Sequence, residues 1–150
     1  MSEKQQYEPR RRARRRALQA IYQWQITGQE ADVILEQFRA VQDMNGVDVE
    51  HFEKLVRGVS AGRDGLDGKL QVFLDRPFGQ VDLMEQVVLR IGVFELLNCP
   101  EQPFRVVVDE CVDLAHRFGS EKGHAYVNAV LDKGARSWRP DEPAHTVTDD

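Results

Sequence analysis

DLMEQVVLRIGVFELLN, residues 82 to 98, is the stretch that decides the fold. Its apolar side chains recur at three- and four-residue spacings and, at 3.6 residues per turn, cover nearly all sides of a helix. Such a helix has no face to give to water, so it is expected to lie buried at the centre of an all-α protein. Its start is marked as well. Asp82 and Glu85 have the spacing of a capping box, in which the first side chain accepts the amide three residues on and the second side chain returns a bond.

On the C-terminal side, Pro100 and Pro103 bracket a short connection to a sixth helix carrying Val106, Val107, Cys111, Leu114 and Phe118, which Gly119 ends. Ser120 opens a seventh helix, with Val127, Val130, Leu131 and Trp138 inward. On the N-terminal side, Leu66, Leu70, Phe73 and Leu74 define a short fourth helix that stops before Pro77. Asp48 can cap a third helix carrying Phe52, Leu55, Val56 and Val59, and Val33, Ile34, Leu35, Phe38 and Val41 mark a second. Thr27-Gly28 and Asn45-Gly46 are the breaks between the first three. Sustained period-two alternation is missing throughout. The expected fold is all-α, about seven helices forming one domain over residues 1–140, in two packed helical subdomains at about 8–78 and 79–139. The composition of DEPAHTVTDD, residues 141–150, fits a disordered acidic tail.

Apolar residues make up 41% of the chain and charged residues 30%, a balance that points to a soluble globular protein. No apolar run approaches the ~20 residues of a membrane span, and the N-terminus is too polar for a signal peptide, so a cytoplasmic protein with no membrane attachment is expected. Cys99 and Cys111 have neither CxxC spacing nor a paired His motif, which points away from a disulfide framework and from a metal site.

The charge is uneven. Residues 1–27 hold seven Lys/Arg against two Glu, on a chain whose net charge is -5. Six of those arginines fall between Arg10 and Arg16 and run straight into ALQAIYQWQ. On a wheel of 100° per residue, Ala13, Ala17, Ala20, Ile21 and Trp24 share one stripe and should face the bundle. Arg11, Arg15 and Tyr22 lie almost opposite, with Arg12, Gln19 and Gln23 on the adjoining flank. Guanidinium groups that neutralise phosphate, a ring that stacks on an unpaired base and amides that read base edges are what single-stranded RNA requires. Six arginines near a helix N-terminus also oppose the macrodipole, so ordinary helix design does not account for them. The last helix offers a second flank, in which Lys122, Tyr126, Ala129 and Lys133 fall together; a solvated face with a half-buried tyrosine reads equally well there.

No convergent catalytic set emerges, so no enzyme activity and no cofactor are expected. His51, His116, His124 and His145 are scattered, GxSxG and HExxH are missing, and RDGLDGK lacks Walker spacing. Arg90, Glu95, Asp109, Glu110 and Asp113 sit on mostly apolar helices and read as a paired structural network.

Three segments, RRRARRRALQAIYQWQ (10–25), QVVLRIGVFEL (86–96) and VDECVDLAHRFGSEKGHAYVNAVLDK (108–133), together resemble the NusB family of bacterial transcription antitermination factors, in order and over roughly residues 8–139. The resemblance implies two packed helical bundles that bind the single-stranded boxA element of ribosomal RNA operons together with a small-subunit ribosomal protein. The complex would then join other Nus factors on RNA polymerase. It further implies RNA contacts from Arg10, Arg11, Arg12, Arg14, Arg15, Arg16 and Tyr22, and from Lys122, His124 and Tyr126, to which the residue pattern adds Gln19 and Lys133. Glu85 and Arg76 would meet the ribosomal protein, with Glu85 as an exposed carboxylate whose reversal to lysine weakens the heterodimer and spares the fold. Some relatives pair into homodimers through the RNA-binding face when free of RNA. The chain departs from the family pattern at Asp109, Ala125 and Ala129. Two other readings of the same residues are the RNA-binding module of a ribosomal-RNA methyltransferase and a protein-only helical adaptor.

Overall fold

A computed structural model describes the backbone of residues 3–142 and the side chains of residues 7–142. Seven α-helices and one 3₁₀ turn make up the described chain, with no strand among the described residues. They are α1 (Glu3–Thr27), α2 (Ala31–Val41), α3 (Val49–Ala61), α4 (Arg63–Gln71), the 3₁₀ turn Phe78–Gln80, α5 (Leu83–Asn98), α6 (Phe104–Phe118) and α7 (Gly123–Trp138). The chain divides into two compact units, residues 1–63 and 64–150. The division falls at the start of α4 and not after residue 78, because α4 is tied into the second unit: Asp67 on α4 pairs with Arg90 on α5.

In the first unit α1 packs against α3 and α2, and α2 against α3. Ala13, Ala17 and Ala20 of α1 are fully buried, as are Ile34 and Leu35 of α2 and Phe52, Leu55, Val56 and Val59 of α3. The rings of Phe38 and Phe52 lie 5.8 Å apart. Each fully buried aliphatic or aromatic side chain contributes roughly 1.5–3 kcal/mol, so this shared core, and not helix propensity, holds the three helices. Both expected breaks form, with Gly28 at φ +72° and Gly46 at φ +78°, a region that strains a residue bearing Cβ. Asp48 caps α3 through an Oδ1 that accepts the His51 amide at 3.0 Å. Two residues expected inside α2 are outside: Val33 is 45% and Val41 78% exposed, because this short helix spends only its Ile34, Leu35 and Phe38 ridge on the core.

In the second unit α5, α6 and α7 pack on one another. Every residue of α5 from Glu85 to Leu96 is buried, as the all-round apolar pattern requires. Leu66 and Leu70 of α4 are also buried, whereas Phe73 and Leu74 lie beyond the end of that helix. Asp82 caps α5, accepting the amides of Met84 at 3.0 Å and Glu85 at 3.2 Å. Only half of the expected capping box forms, because the Glu85 side chain bonds to Ser120. Ser120 in turn does not open the last helix; α7 starts at Gly123, whose amide donates to the Ser120 carbonyl at 3.0 Å. Phe118, expected inward on α6, is 41% exposed at the helix end.

Helix α5 approaches α6 and α7 closely at Gly92, where an added Cβ would stand 2.6 Å and 3.0 Å from the Leu131 methyls and 3.2 Å from the Cys111 sulfur. Leu131 and Cys111 are themselves fully buried, so neither can swing aside. Gly92→Val is expected to destabilise the protein by about 1–3 kcal/mol through overpacking, read as a lower urea midpoint at unchanged slope.

The folded region extends past Pro140. The Arg139 guanidinium donates to the carbonyls of Leu96 at 2.9 Å, Glu95 at 3.1 Å, Cys99 at 2.9 Å and Gln102, closing the C-terminus of α5. Glu142 accepts from Arg139 at 2.9 Å and from the Phe104 amide at 2.6 Å, which caps α6. Glu142, expected within a tail over residues 141–150, is thus bonded to the fold, and residues 143–150 lie outside the described residues.

Candidate nucleic-acid interface

Helix α1 begins at Glu3, so its arginines stand in the second turn and beyond and not at the N-terminus. Pro9 is inside the helix, and its carbonyl accepts the Asp48 amide at 3.0 Å, joining α1 to the loop before α3. That loop, residues 42–48, sorts the arginines. Arg10 pairs with Asp48 at 3.7 Å, Arg16 donates to the Asp43 carbonyl at 3.0 Å, and Arg12 lies so close to Gly46 that a Cβ there would meet its guanidinium at 2.2 Å. Glu8 draws Arg11 at 3.7 Å and Arg12 at 3.3 Å. Arg15 is engaged by neither Glu8 nor the loop, and its Nε is buried without a hydrogen-bond partner.

Arg14 corrects the expected roster. It is 2% exposed, packed among the core residues of the first unit. On the wheel it falls between Ile21 and Leu18, both 1% exposed, so the buried arc of α1 is wider than its alanine stripe suggests. Arg14 is a structural residue and presents no charge to a ligand. Trp24, expected inward, is half-buried with the Arg63 guanidinium 5.7 Å from its ring. Gln23 is tied to Gln29 at 2.8 Å and Gln37 at 2.9 Å, whereas Gln19 is exposed and Tyr22 half-buried. What α1 offers is a face of Arg11, Arg12, Arg15 and Arg16 with Gln19 and Tyr22 among them.

In the second unit, Lys122 and Lys133 are exposed. Tyr126 is half-buried, and its hydroxyl donates to Asp75 at 3.0 Å. Arg76 holds the same carboxylate with Nε at 2.7 Å and Nη2 at 3.1 Å, and its guanidinium carbon lies 4.6 Å from the Tyr126 ring centre. The hydrogen bonds from Arg76 and then Tyr126 hold the Asp75 carboxyl below its usual pKa. Desolvation, with Asp75 second, pushes the Tyr126 phenol up, so it keeps its proton near neutral pH. His124 is half-buried with its ring edge-on to His116 at 4.8 Å, and its Nδ1 is buried without a hydrogen-bond partner. Asp75 was not legible as part of this cluster, because no local pattern links it to a tyrosine 51 residues on.

Glu85 is a second correction. It is 5% exposed and so is not the exposed carboxylate expected at a protein interface. Its Oε2 accepts the Ser120 amide at 3.0 Å and the Ser120 hydroxyl at 2.5 Å. The carboxyl occupies the space beside Gly123, where a Cβ would fall 1.8 Å from Oε2. The geometry is a buried carboxylate at the N-terminus of α7, satisfied by two donors and by the helix dipole. Arg76 stays accessible, its side chain 44% exposed.

Of the charges expected to form a structural network, Arg90, Asp109 and Asp113 each pair with a residue outside that set, Asp113 with Arg117 at 3.2 Å. Arg90 grips Asp67 with two bonds of 2.8 Å, and Arg105 bridges Asp109 at 3.4 Å and Asp132 at 2.9 Å. Asn128 and Ala129 are exposed. Among the described residues, no three His, Cys, Asp or Glu side chains are grouped to hold a metal ion, and no helix is long and apolar enough to cross a membrane.

The NusB family model matches residues 11–136. The transcription antitermination protein NusB of Nitrosococcus oceani is 51% identical over 133 residues, 89% of each chain. That of Xanthomonas campestris pv. campestris is 49% identical over 130 residues, 87% of this chain and 82% of the relative. Among solved structures, T. maritima NusB superposes with a TM-score of 0.76 at 26% identity, covering 85% of this chain and 91% of that one. A chain from the crystal structure of antitermination factors NusB and NusE in complex with dsRNA matches with a TM-score of 0.73 at 24% identity, covering 85% and 96%, a likeness of fold.

Proposed function

Since the chain belongs to the NusB family, we propose that it is a transcription antitermination factor that binds the single-stranded boxA RNA of ribosomal operons together with a small-subunit ribosomal protein, and joins other Nus factors on RNA polymerase. The observation that carries the RNA part is the α1 face, on which Arg15 is left uncommitted beside Arg11, Tyr22 and Gln19. A related fold has been solved as NusB with NusE and dsRNA, which supports a joint role for RNA and a protein partner in that protein. Unpaired RNA is the better fit here, because a tyrosine can stack only on a base whose face is open. Of the two residues that the resemblance implies for the ribosomal-protein contact, Arg76 is accessible, while Glu85 acts from within by holding Ser120.

The test separates phosphate contacts from stacking. Arg15→Ala should weaken binding of boxA-like RNA and flatten the salt dependence by roughly 0.7 in log–log slope per lost phosphate contact on a single strand. Arg11→Ala should act in the same direction. Tyr22→Ala should lower affinity by about 1–3 kcal/mol with the slope nearly intact, since a ring releases no counterion. Arg14→Ala is the internal control, expected to lower the melting temperature without changing the slope of the protein that stays folded. The readout is fluorescence anisotropy across a salt series, with duplex RNA as competitor. Wild-type affinity and slope in the Arg15 and Arg11 variants would remove α1 from the interface.

A further inference from the structure

We propose that Arg76 is a stacking residue for an unpaired RNA base, held flat by Asp75 on the ring of Tyr126, and so belongs to the RNA surface of the second unit. This rests on the RNA-binding reading above, gives Arg76 to RNA in place of the ribosomal-protein contact that the resemblance implies, and adds Asp75, which the basic pattern does not reach. A guanidinium gripped at Nε and Nη2 by one carboxylate is fixed in plane and cannot rotate about its last bond. The ring 4.6 Å beneath it fixes its height, and the tyrosine hydroxyl, bonded to the same Asp75 oxygen, locks ring and guanidinium to each other.

The backbone beneath is pinned as well. The Gln71 amide donates to the Arg76 carbonyl at 2.9 Å and its oxygen accepts the Phe78 amide at 2.9 Å, so the loop between α4 and the 3₁₀ turn is held on both sides of Pro77. The guanidinium carbon stands 4.6 Å from the ring centre on one side, and the side chain is still 44% exposed. A planar, delocalised, weakly hydrated group presented in this way is a platform on which a nucleobase stacks. Nη1 is used by neither Asp75 bond and stays available as an in-plane donor.

Charge separates this role from that of α1. The Arg76 charge is already compensated by Asp75, so the group offers a plane and little free charge for a phosphate. Arg76→Lys keeps the charge and removes the plane, and Asp75→Asn keeps the shape and loosens the grip.

The experiment titrates boxA-like single-stranded RNA, carrying a fluorescent adenine analogue, into wild type, Arg76→Lys, Arg76→Ala and Asp75→Asn, across a salt series. Thermal melts confirm that each is folded. Arg76→Lys and Arg76→Ala should both lose roughly 5- to 100-fold in affinity, with the salt slope unchanged and the quenching of the stacked analogue lost. Asp75→Asn should weaken affinity in the same direction, by less. Wild-type affinity and quenching in Arg76→Lys overturns the proposal. So does a slope that falls by roughly 0.7 in Arg76→Ala, which marks a phosphate contact, or loss of ribosomal-protein binding with RNA binding intact. If wild type binds RNA and Arg15→Ala weakens it while Arg76→Lys does not, only this assignment fails; if wild type binds no RNA, both readings fail together.

Discussion

Glu85→Lys is expected to destabilise the second unit by about 3–5 kcal/mol, the cost of leaving a buried charge without its partner. The carboxylate is 5% exposed and accepts two hydrogen bonds from Ser120. A lysine there would face the Ser120 amide and the positive end of the α7 dipole with three donors and no acceptor of its own. The longer side chain would also have to enter the space that a glycine at 123 leaves for the carboxyl. Glu85→Gln keeps an acceptor oxygen and the shape, and should cost about 1.5–3 kcal/mol, the worth of a hydrogen bond to a charged group. Urea denaturation of both variants, followed by circular dichroism, gives the two numbers. A Glu85→Lys protein with the wild-type midpoint would mean that the side chain reaches solvent after all. Weaker ribosomal-protein binding by Glu85→Lys therefore identifies a contact only where the melt is unchanged.

The second large effect is expected at Asp67. Removing its carboxylate in Asp67→Ala takes two charge-assisted bonds of 2.8 Å from Arg90, whose side chain is 7% exposed, and should cost about 3–5 kcal/mol. The Phe78 ring 4.7 Å from the Arg90 guanidinium offsets little of that, since cation–π attraction contributes on the order of 2 kcal/mol even when desolvated, and it is present in both states compared. Replacing both partners together, Asp67→Leu with Arg90→Met, should recover most of the loss, because desolvating the pair already costs nearly what its attraction returns. A double-mutant cycle in urea measures this. Additive single costs would show that the two residues act independently and that the bidentate geometry carries no coupling.

The sequence by itself determined the all-α architecture and most of the core. Helical periodicity reports which side chains must leave water, and it placed α5 as a helix buried all round, with Phe52, Leu55, Val56 and Val59 inside α3. Backbone chemistry is equally local, so the breaks at Gly28 and Gly46 and the caps at Asp48 and Asp82 were legible from a few residues each. Local pattern also located the basic face of α1, because side-chain direction on a helix follows from spacing alone. What only the tertiary structure decided is where a polar side chain finds its partner. Arg14 and Arg15 are neighbours of the same type, yet one is buried in the core and the other is left uncommitted, since the width of the buried arc depends on the helices packed against it. Glu85 had the spacing to complete its own helix cap and instead bonds to Ser120, which is 35 residues away in the chain and adjacent in space. Arg139, Glu142 and Asp75 follow the same rule. Hydrogen-bond partners are selected by distance in the folded state, and for these residues that distance is set by helices far apart in sequence.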